Sequence, residues 1–439
     1  MFRLFTCLLF SIVTFATSAQ TPQASATNER ALISAVANLP SNAPASAEPL
    51  VFDIEAATRK YLDRLQGEAR IRSDAYAEGG YWLSLWNFLL GLAIAWLLLA
   101  KRISARIRDF AIDRAAGKNR QVLIYVLIYF LLTSALSFPL AIYAEFYREH
   151  QYGLSNMTLP AWLGEQLIVL AVNGLLAGIA FTGLYAIFRR VPRTWWAWGT
   201  LGGTVFIVVL ILINPVFITP LFNTYKPVPE GPVREVVLSL ARANGIPATD
   251  VVYFDASKQT TRVSANVSGL FGTTRIALND NLLNRTSLPE IKAVMAHEMG
   301  HYVLNHSLKH ALSFSLMLLG GFLFLRWSWN WSSQRFGTRF GVNGIADPAG
   351  LPLLVALFSI YFFITLPVFN TIIRTAETEA DIFGLNASRE PDGFAEAIFK
   401  LSEYRKLEPG KIEEILFFDH PAGRTRIANA MRWKAENLR

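Results

Sequence analysis

Apolar residues in this chain fall into long, nearly unbroken blocks, and the charged residues are crowded between them. Five blocks have the length and apolarity of a membrane-crossing helix: 82–100, 122–144, 163–188, 195–221 and 350–373. A sixth, 311–329 ("ALSFSLMLLGGFLFLRWSW"), has the same character. One such block alone would read equally well as a helix buried in a large core. Five or six in one chain predict a mainly α, multi-pass membrane protein built around a helical transmembrane bundle. Pro139 predicts a kink inside the second block. Asn173, and Asn214 beside Pro215, are polar positions within apolar blocks and are expected to face the bundle interior or a wet cavity.

The first residues, "MFRLFTCLLFSIVTFATSAQ", have a different grammar. Arg3 precedes an apolar run that is short for a span, and Thr17-Ser18-Ala19 offers small residues for cleavage. Residues 1–19 therefore read as a signal peptide, with an uncleaved first transmembrane helix as the alternative. Residues 20–48 are rich in Ala, Ser and Pro and read as a linker, and 49–79 as polar and helical. The expected organisation is then an N-terminal region to 79, transmembrane helices over 80–221, a polar segment 222–310, two more spans in 311–373 and a polar C-terminal segment 374–439.

Composition agrees with this division. Of 439 residues, 52% are hydrophobic and 17% charged, where soluble domains carry roughly 25% charged. A formal net charge of +8 suits an anionic membrane surface, and no nucleic-acid-binding motif accompanies it. Cys7 is the single cysteine, so a metal site in this chain must use histidines and carboxylates.

The polar segment 222–310 carries the chemistry. "YKPVPEGPVREVVLSLARANGIP" predicts a turn and an amphipathic helix ending at Gly245. "DVVYFD" predicts a strand, and "RVSANVSGLFGTTRIALND" a hairpin turning around Gly269 and Gly272. "SLPEIKAVMAHEMGHYVLNH" predicts a helix opened by a capping box of Ser287 and Glu290. On that helix His297 and His301 stand four residues apart, about 40° around the axis, which lets two imidazoles share one tetrahedral ion. Glu298 lies beside the first of them and is placed to accept a proton from water. Two exposed helical histidines are the bland reading of the same letters.

A third ligand is required. His306 comes nine residues after His297, about 180° away if one helix continues. Leu304 and Ser307 occupy the places where a metzincin motif has its glycine and third histidine. His306 and His310 therefore read as structural. "NTIIRTAETEADIFGLNA" offers an alternative, because Glu377 and Asp381 share a helix face. Glu377 can bind a metal, and Asp381 can take the spare N–H of a ligand histidine. Glu379 points about 200° away from Glu377. An acidic, solvated face is the competing reading of this helix.

With "AHEMGHYVLNH" (296–306), "ETEAD" (377–381) and "DHPAGRTRI" (419–427), the chain resembles the integral-membrane M48 zinc metallopeptidases, the Ste24 or CaaX prenyl protease 1 type, in a bacterial form. "REHQYGLSN" (148–156), "PLFNTYKPVPEG" (220–231) and "GTTRIALNDNLL" (272–283) extend the likeness over roughly residues 80–430. The resemblance implies a gluzincin-like peptidase domain with a small β-sheet and one zinc ion per chain on His297, His301 and Glu377. It implies Glu298 as general base, His420 as a catalytic oxyanion donor and Arg426 near the substrate. On sequence alone His420 is a histidine before a proline. The eukaryotic members carry Asn-Ala on a substrate-binding edge strand, where this chain reads Ser264-Ala265, so its subsite preference is expected to differ. The family has seven spans, whereas this chain shows six blocks after its signal-like start.

Segment 101–120, "KRISARIRDFAIDRAAGKNR", reads as a connecting loop and holds seven Lys/Arg against two Asp, which predicts a cytoplasmic location. "RRVPR" (189–193) agrees, two spans later. Residues 222–310 then fall on the periplasmic side of a bacterial inner membrane, whereas the eukaryotic relatives imply a cytosolic site. The expected activity is zinc-dependent cleavage of membrane-associated or misfolded peptides. The alternatives are removal of the C-terminal tripeptide from prenylated proteins and, in another class, a non-catalytic membrane scaffold that keeps a structural zinc. An intact Glu298 argues against the scaffold.

Overall fold

The structure, a computed structural model, describes residues 52–268 and 274–438. The expected signal peptide, the linker over 20–48, and Gly269 and Gly272 of the hairpin turn lie outside the described residues.

Among the described residues, five helices are long and apolar enough to cross a membrane. They contain α2 (Gly67–Ala100), α4 (Lys118–Ile142, running on to Gln151), α5 (Leu159–Arg190), α6 (Trp195–Ile213, running on to Leu221) and α9 (His306–Phe340). The block expected at 350–373 is not one straight span. It is α10 (Leu351–Ile364) and α11 (Leu366–Ser388), bent by 54° at Thr365, with Pro367 in the first turn of α11. Proline lacks the N–H that would continue the helical ladder. Counting that bent pair as one span gives six.

Pro139 lies inside α4, which passes into a π-helical turn at Tyr143–Tyr147. Pro215 opens a similar turn at Asn214–Ile218, where Asn214 is buried. Both wider turns sit where proline disturbs the regular i to i−4 bonds. Among the spans, Tyr125, Tyr185, Phe188 and Leu325 pack into one apolar core, while Leu131, Leu167 and Leu175 point outward.

The two ends of the bundle differ. At one end the segment 101–120, expected as a loop, instead contains the helix α3 (Ile103–Arg114). One face packs inward, with Ala105, Ile107 and Ala111 buried, while Phe110 and Ile112 are exposed. Arg108 pairs with Asp347 at 2.7 Å, and the Ser104 hydroxyl donates to the Ala349 carbonyl at 2.7 Å. These contacts tie α3 to the connection between α9 and α10. At the other end lies α1 (Ile54–Leu62), capped by Asp53, followed by α2.

That second end carries a mixed four-stranded sheet. The strands are β1 (Tyr225–Pro227), β2 (Val251–Phe254), β3 (Ala265–Ser268) and β4 (Arg275–Asn279), in the order β1-β2-β4-β3. β2 and β4 run parallel, and β3 is an edge strand antiparallel to β4 with Ala265 opposite Leu278. Helix α7 (Pro232–Ala243) precedes β2 and ends before Gly245, whose φ of +69° favours glycine. Against the sheet pack α8 (Leu288–Val303) and, beyond it, α11, α12 (Pro391–Lys400) and α14 (Gly423–Asn437). A short helix, α13 (Lys411–Phe417), sits over α11.

Candidate metal centre

Helix α8 begins as its sequence dictates. The Ser287 amide and hydroxyl both donate to Oε1 of Glu290, at 3.1 and 2.7 Å, closing the capping box. Two turns later α8 crosses α11 at close range, because the contact is lined by glycines. A Cβ on Gly384 would stand 3.0 Å from both Cα and N of His297, and one on Gly300 would meet Ala380 Cα at 3.3 Å. This approach brings the two halves of the site together.

His297, His301 and Glu377 are buried and offer ligand atoms that all lie within 4.8 Å of one another. The Nε2 atoms of the two histidines are 3.1 Å apart, and Glu377 reaches them at 3.3 and 3.5 Å. Ligands on a tetrahedral ion with bonds of ~2.1 Å are separated by about 3.4 Å. The donor set thus fits a single small cation of the zinc class. Glu377 Oε2 supports the fit: it is buried without a hydrogen bond of good geometry, although His297 and His420 face it at 3.3 and 3.2 Å.

Each of the two histidine ligands is held from behind. Nδ1 of His297 lies 2.8 Å from Oδ1 of Asp381. Asp381 in turn accepts two hydrogen bonds from Arg426, at 2.8 and 2.5 Å, in a buried fork. Nδ1 of His301 lies 2.9 Å from Nδ1 of His306, whose Nε2 is 3.0 Å from Glu379 Oε2. Glu379 also accepts from Lys309 at 2.7 Å. The chain can bring His306 back because Asn305 adopts a left-handed conformation, φ +56°, and separates α8 from α9.

Burial holds the His301 imidazole neutral, its pKa well below the usual range. At His297 burial acts the same way, but the Asp381 and Glu377 carboxylates outweigh it and raise the value to about 10. That pocket of negative charge is what a metal cation would neutralise. Burial pushes the Glu298 carboxyl up to about 7, with His297 opposing and Glu377 adding to the effect.

His420 approaches from the segment before α14. Its Nδ1 lies 2.8 Å from Asp419 and its Nε2 3.2 Å from Glu377. It also lines a recess of about 240 Å³ with Tyr76, Arg148, Tyr404, Arg405 and Arg426. Ser264 is exposed and immediately precedes β3; its carbonyl accepts from the Asn279 amide at 2.9 Å, and its own amide donates to the Asn279 side chain at 3.1 Å. Ala265 is buried on the same edge strand. The structure therefore brings His297, His301, Glu377, Asp381, His420 and Arg426 into one cluster. His306, read from sequence as structural, and Glu379, read as pointing away from Glu377, adjoin it behind His301, and Asp419, which sequence reasoning did not single out, adjoins His420.

Comparison with known proteins adds an independent line. The profile of "Peptidase family M48" matches residues 227–434, and that of "CAAX prenyl protease N-terminal, five membrane helices" matches 57–224. The metalloprotease YhfN of Bacillus subtilis is 27% identical over 349 residues, covering 78% of this chain and 82% of that protein. The CAAX prenyl protease 1 homolog of Dictyostelium discoideum is 32% identical over 253 residues, 56% of this chain and 58% of that protein. The crystal structure of S. mikatae Ste24p superimposes with a TM-score of 0.71 over 86% of this chain and 95% of that one, at 22% identity, so the two share a fold.

Proposed function

We infer that this chain, which belongs to peptidase family M48 and is a membrane-embedded metalloprotease, hydrolyses peptide bonds at one zinc ion held by His297, His301 and Glu377. The observation that carries the assignment is the spacing of those three buried groups, 3.1 to 3.5 Å between ligand atoms. Zinc bound there supplies Lewis acidity toward the scissile carbonyl and lowers the pKa of a water toward 7.

The protein's own groups do the rest. Glu298 takes the proton from the attacking water and passes it to the leaving amine, a task suited to a carboxyl whose pKa stands near 7. His420, oriented by Asp419, donates to the oxyanion of the tetrahedral intermediate. Asp381 and Arg426 aim His297, and His306 with Glu379 aims His301. A substrate strand adds to the free edge of β3, where main-chain bonds give affinity and Ser264 and Ala265 flank the cleavage position.

The substrates are membrane-associated or misfolded peptides. Several relatives bear the name CAAX prenyl protease 1, which makes prenylated C-termini the second reading. The deciding experiment is cleavage of one peptide with and without its prenyl group by the purified protein, with Glu298→Gln as control. Equal cleavage of the twins supports the general peptidase. Strong preference for the prenylated peptide supports the second reading. Turnover by neither would overturn both.

The chain is an integral membrane protein, and a bacterial inner membrane is the location we favour. Residues 101–120 and 189–193 lie at the bundle end away from the metal centre and are rich in Lys and Arg, which favours a periplasmic site.

A further inference from the structure

The end of the bundle remote from the metal centre contains a recess of about 380 Å³ between α4 and α5. Lys118, Arg120, Arg189 and Arg190 line it, and no carboxylate does. Among the described residues none of the four forms an ion pair. Arg189 donates to the side-chain oxygen of Asn119, which fixes the end of α5 against the start of α4.

Helix electrostatics account for only half of this charge. Arg189 and Arg190 end α5, where cations complement the helix dipole. Lys118 and Arg120 open α4, where cations oppose it. The first turn of α4 holds no acidic residue and its N-cap, Gly117, gives no side-chain bond. The first turn of α4, whose amides lack intrahelical partners, and four cations thus border one recess whose lining holds no carboxylate. An anion satisfies both.

The surroundings specify which anion. Directly below the recess, toward the middle of the bundle, Leu123 and Leu127 of α4 and Leu175 and Ile179 of α5 are exposed apolar groups. The helices meet there closely, since a Cβ on Gly178 would stand 2.9 Å from Leu123 Cδ1. A soluble anion has no use for that surface; two acyl chains do. We propose that this recess binds the phosphate headgroup of an anionic phospholipid, with its acyl chains lying along the α4–α5 face. α5 alone spans about 48 Å at ~1.5 Å per residue, so the site is separate from the peptidase centre and acts on anchoring rather than on chemistry.

The test uses the full-length protein in detergent, offered equal amounts of phosphatidylglycerol and phosphatidylcholine, with bound lipid counted by native mass spectrometry. The wild type should retain phosphatidylglycerol preferentially. Arg189→Gln/Arg190→Gln should lose that preference by roughly tenfold or more, since each cation near a headgroup contributes on the order of 1 kcal/mol. Arg335→Gln/Arg339→Gln removes the same charge from the end of α9, outside the recess, and should keep it. Thermal unfolding in phosphatidylcholine checks that each variant is folded, and Lys118→Gln/Arg120→Gln, at exposed positions, carries the test if the first pair is not. Equal loss in both double variants would mean diffuse surface charge, and displacement of the lipid by millimolar inorganic phosphate would mean a free-anion site. Either result, or equal binding of the two lipids, overturns the proposal.

Discussion

Oδ1 of Asp381 stands 2.8 Å from Nδ1 of His297 and 2.5 Å from the Arg426 guanidinium, so one carboxylate serves an imidazole and a guanidinium together. The arrangement turns the other ring nitrogen of His297 toward Glu377. Asp381→Asn keeps the shape and removes the charge. Zinc affinity should fall about 10- to 100-fold, the usual cost of losing such a support, as read by competition with a chromogenic chelator. Wild-type affinity in that variant would refute the orienting role.

Glu377 and Glu379 are two residues apart and serve different histidines. Glu377→Gln should abolish stoichiometric zinc, because a ligand is gone. Glu379→Gln should retain zinc with weaker binding, because only the support of His306 is lost. Metal analysis of both purified proteins decides it, and the opposite ranking would exchange their roles.

Glu298→Gln should keep its zinc and lose turnover by 10²-fold to 10⁴-fold, the typical contribution of a general base. The same variant has a stability signature in chelator-treated protein. The folded carboxyl titrates near 7 rather than at its ordinary 4.5, so the folded state holds its proton after the unfolded chain has released it. Wild-type stability is therefore eroded as pH rises from about 4.5 to 7. Glutamine lacks this slope. Its advantage should grow between pH 4 and pH 8, by at most roughly 3 kcal/mol at ~1.4 kcal/mol per pKa unit. Parallel unfolding curves for the two proteins across that range would contradict a raised value.

Gly384→Ala places a methyl group against the His297 backbone, which has no rotamer to yield. About 1–3 kcal/mol of destabilisation is expected from overpacking, together with weaker zinc binding. Thermal unfolding with and without added zinc separates the two effects. An unchanged melting temperature would show that α8 and α11 have room to part.

Sidedness is open to cysteine labelling in a Cys7→Ser background. Ser104 is unsuitable as a reporter because it is buried against Tyr125 and Ala349. Asp113 and Lys258 are exposed and lie at opposite ends of the bundle. Lys258→Cys should react with an impermeant thiol reagent from the periplasmic side, and Asp113→Cys should not. The reverse pattern would place the metal centre in the cytoplasm.

What could be read from the sequence was whatever depends on a single helix or a single hairpin. His297 with His301, and Glu377 with Asp381, are neighbours four residues apart, so their common faces follow from helical geometry alone. The pairing of β3 with β4 was legible from alternation. His306 was not, because extrapolating one helix through Leu304 and Asn305 rotates it away from the site. The left-handed turn at Asn305 resets that rotation. The bend between α10 and α11 was hidden for the opposite reason: the apolar run continues through Thr365 without a polar break. Arg426 was expected near substrate, yet both its hydrogen bonds go to Asp381. That contact joins helices far apart in sequence, and no periodicity reports it.

The order of the ligands along the chain also governs when the activity can begin. His297 and His301 precede α9, whereas Glu377 follows α10, so two crossings of the bilayer separate the halves of the centre. During synthesis the nascent protein carries its histidine motif well before the third ligand emerges. Hydrolysis must wait until the last helices have been inserted and folded back. Until then a newly made copy holds only two of the three ligand residues in position to meet a metal.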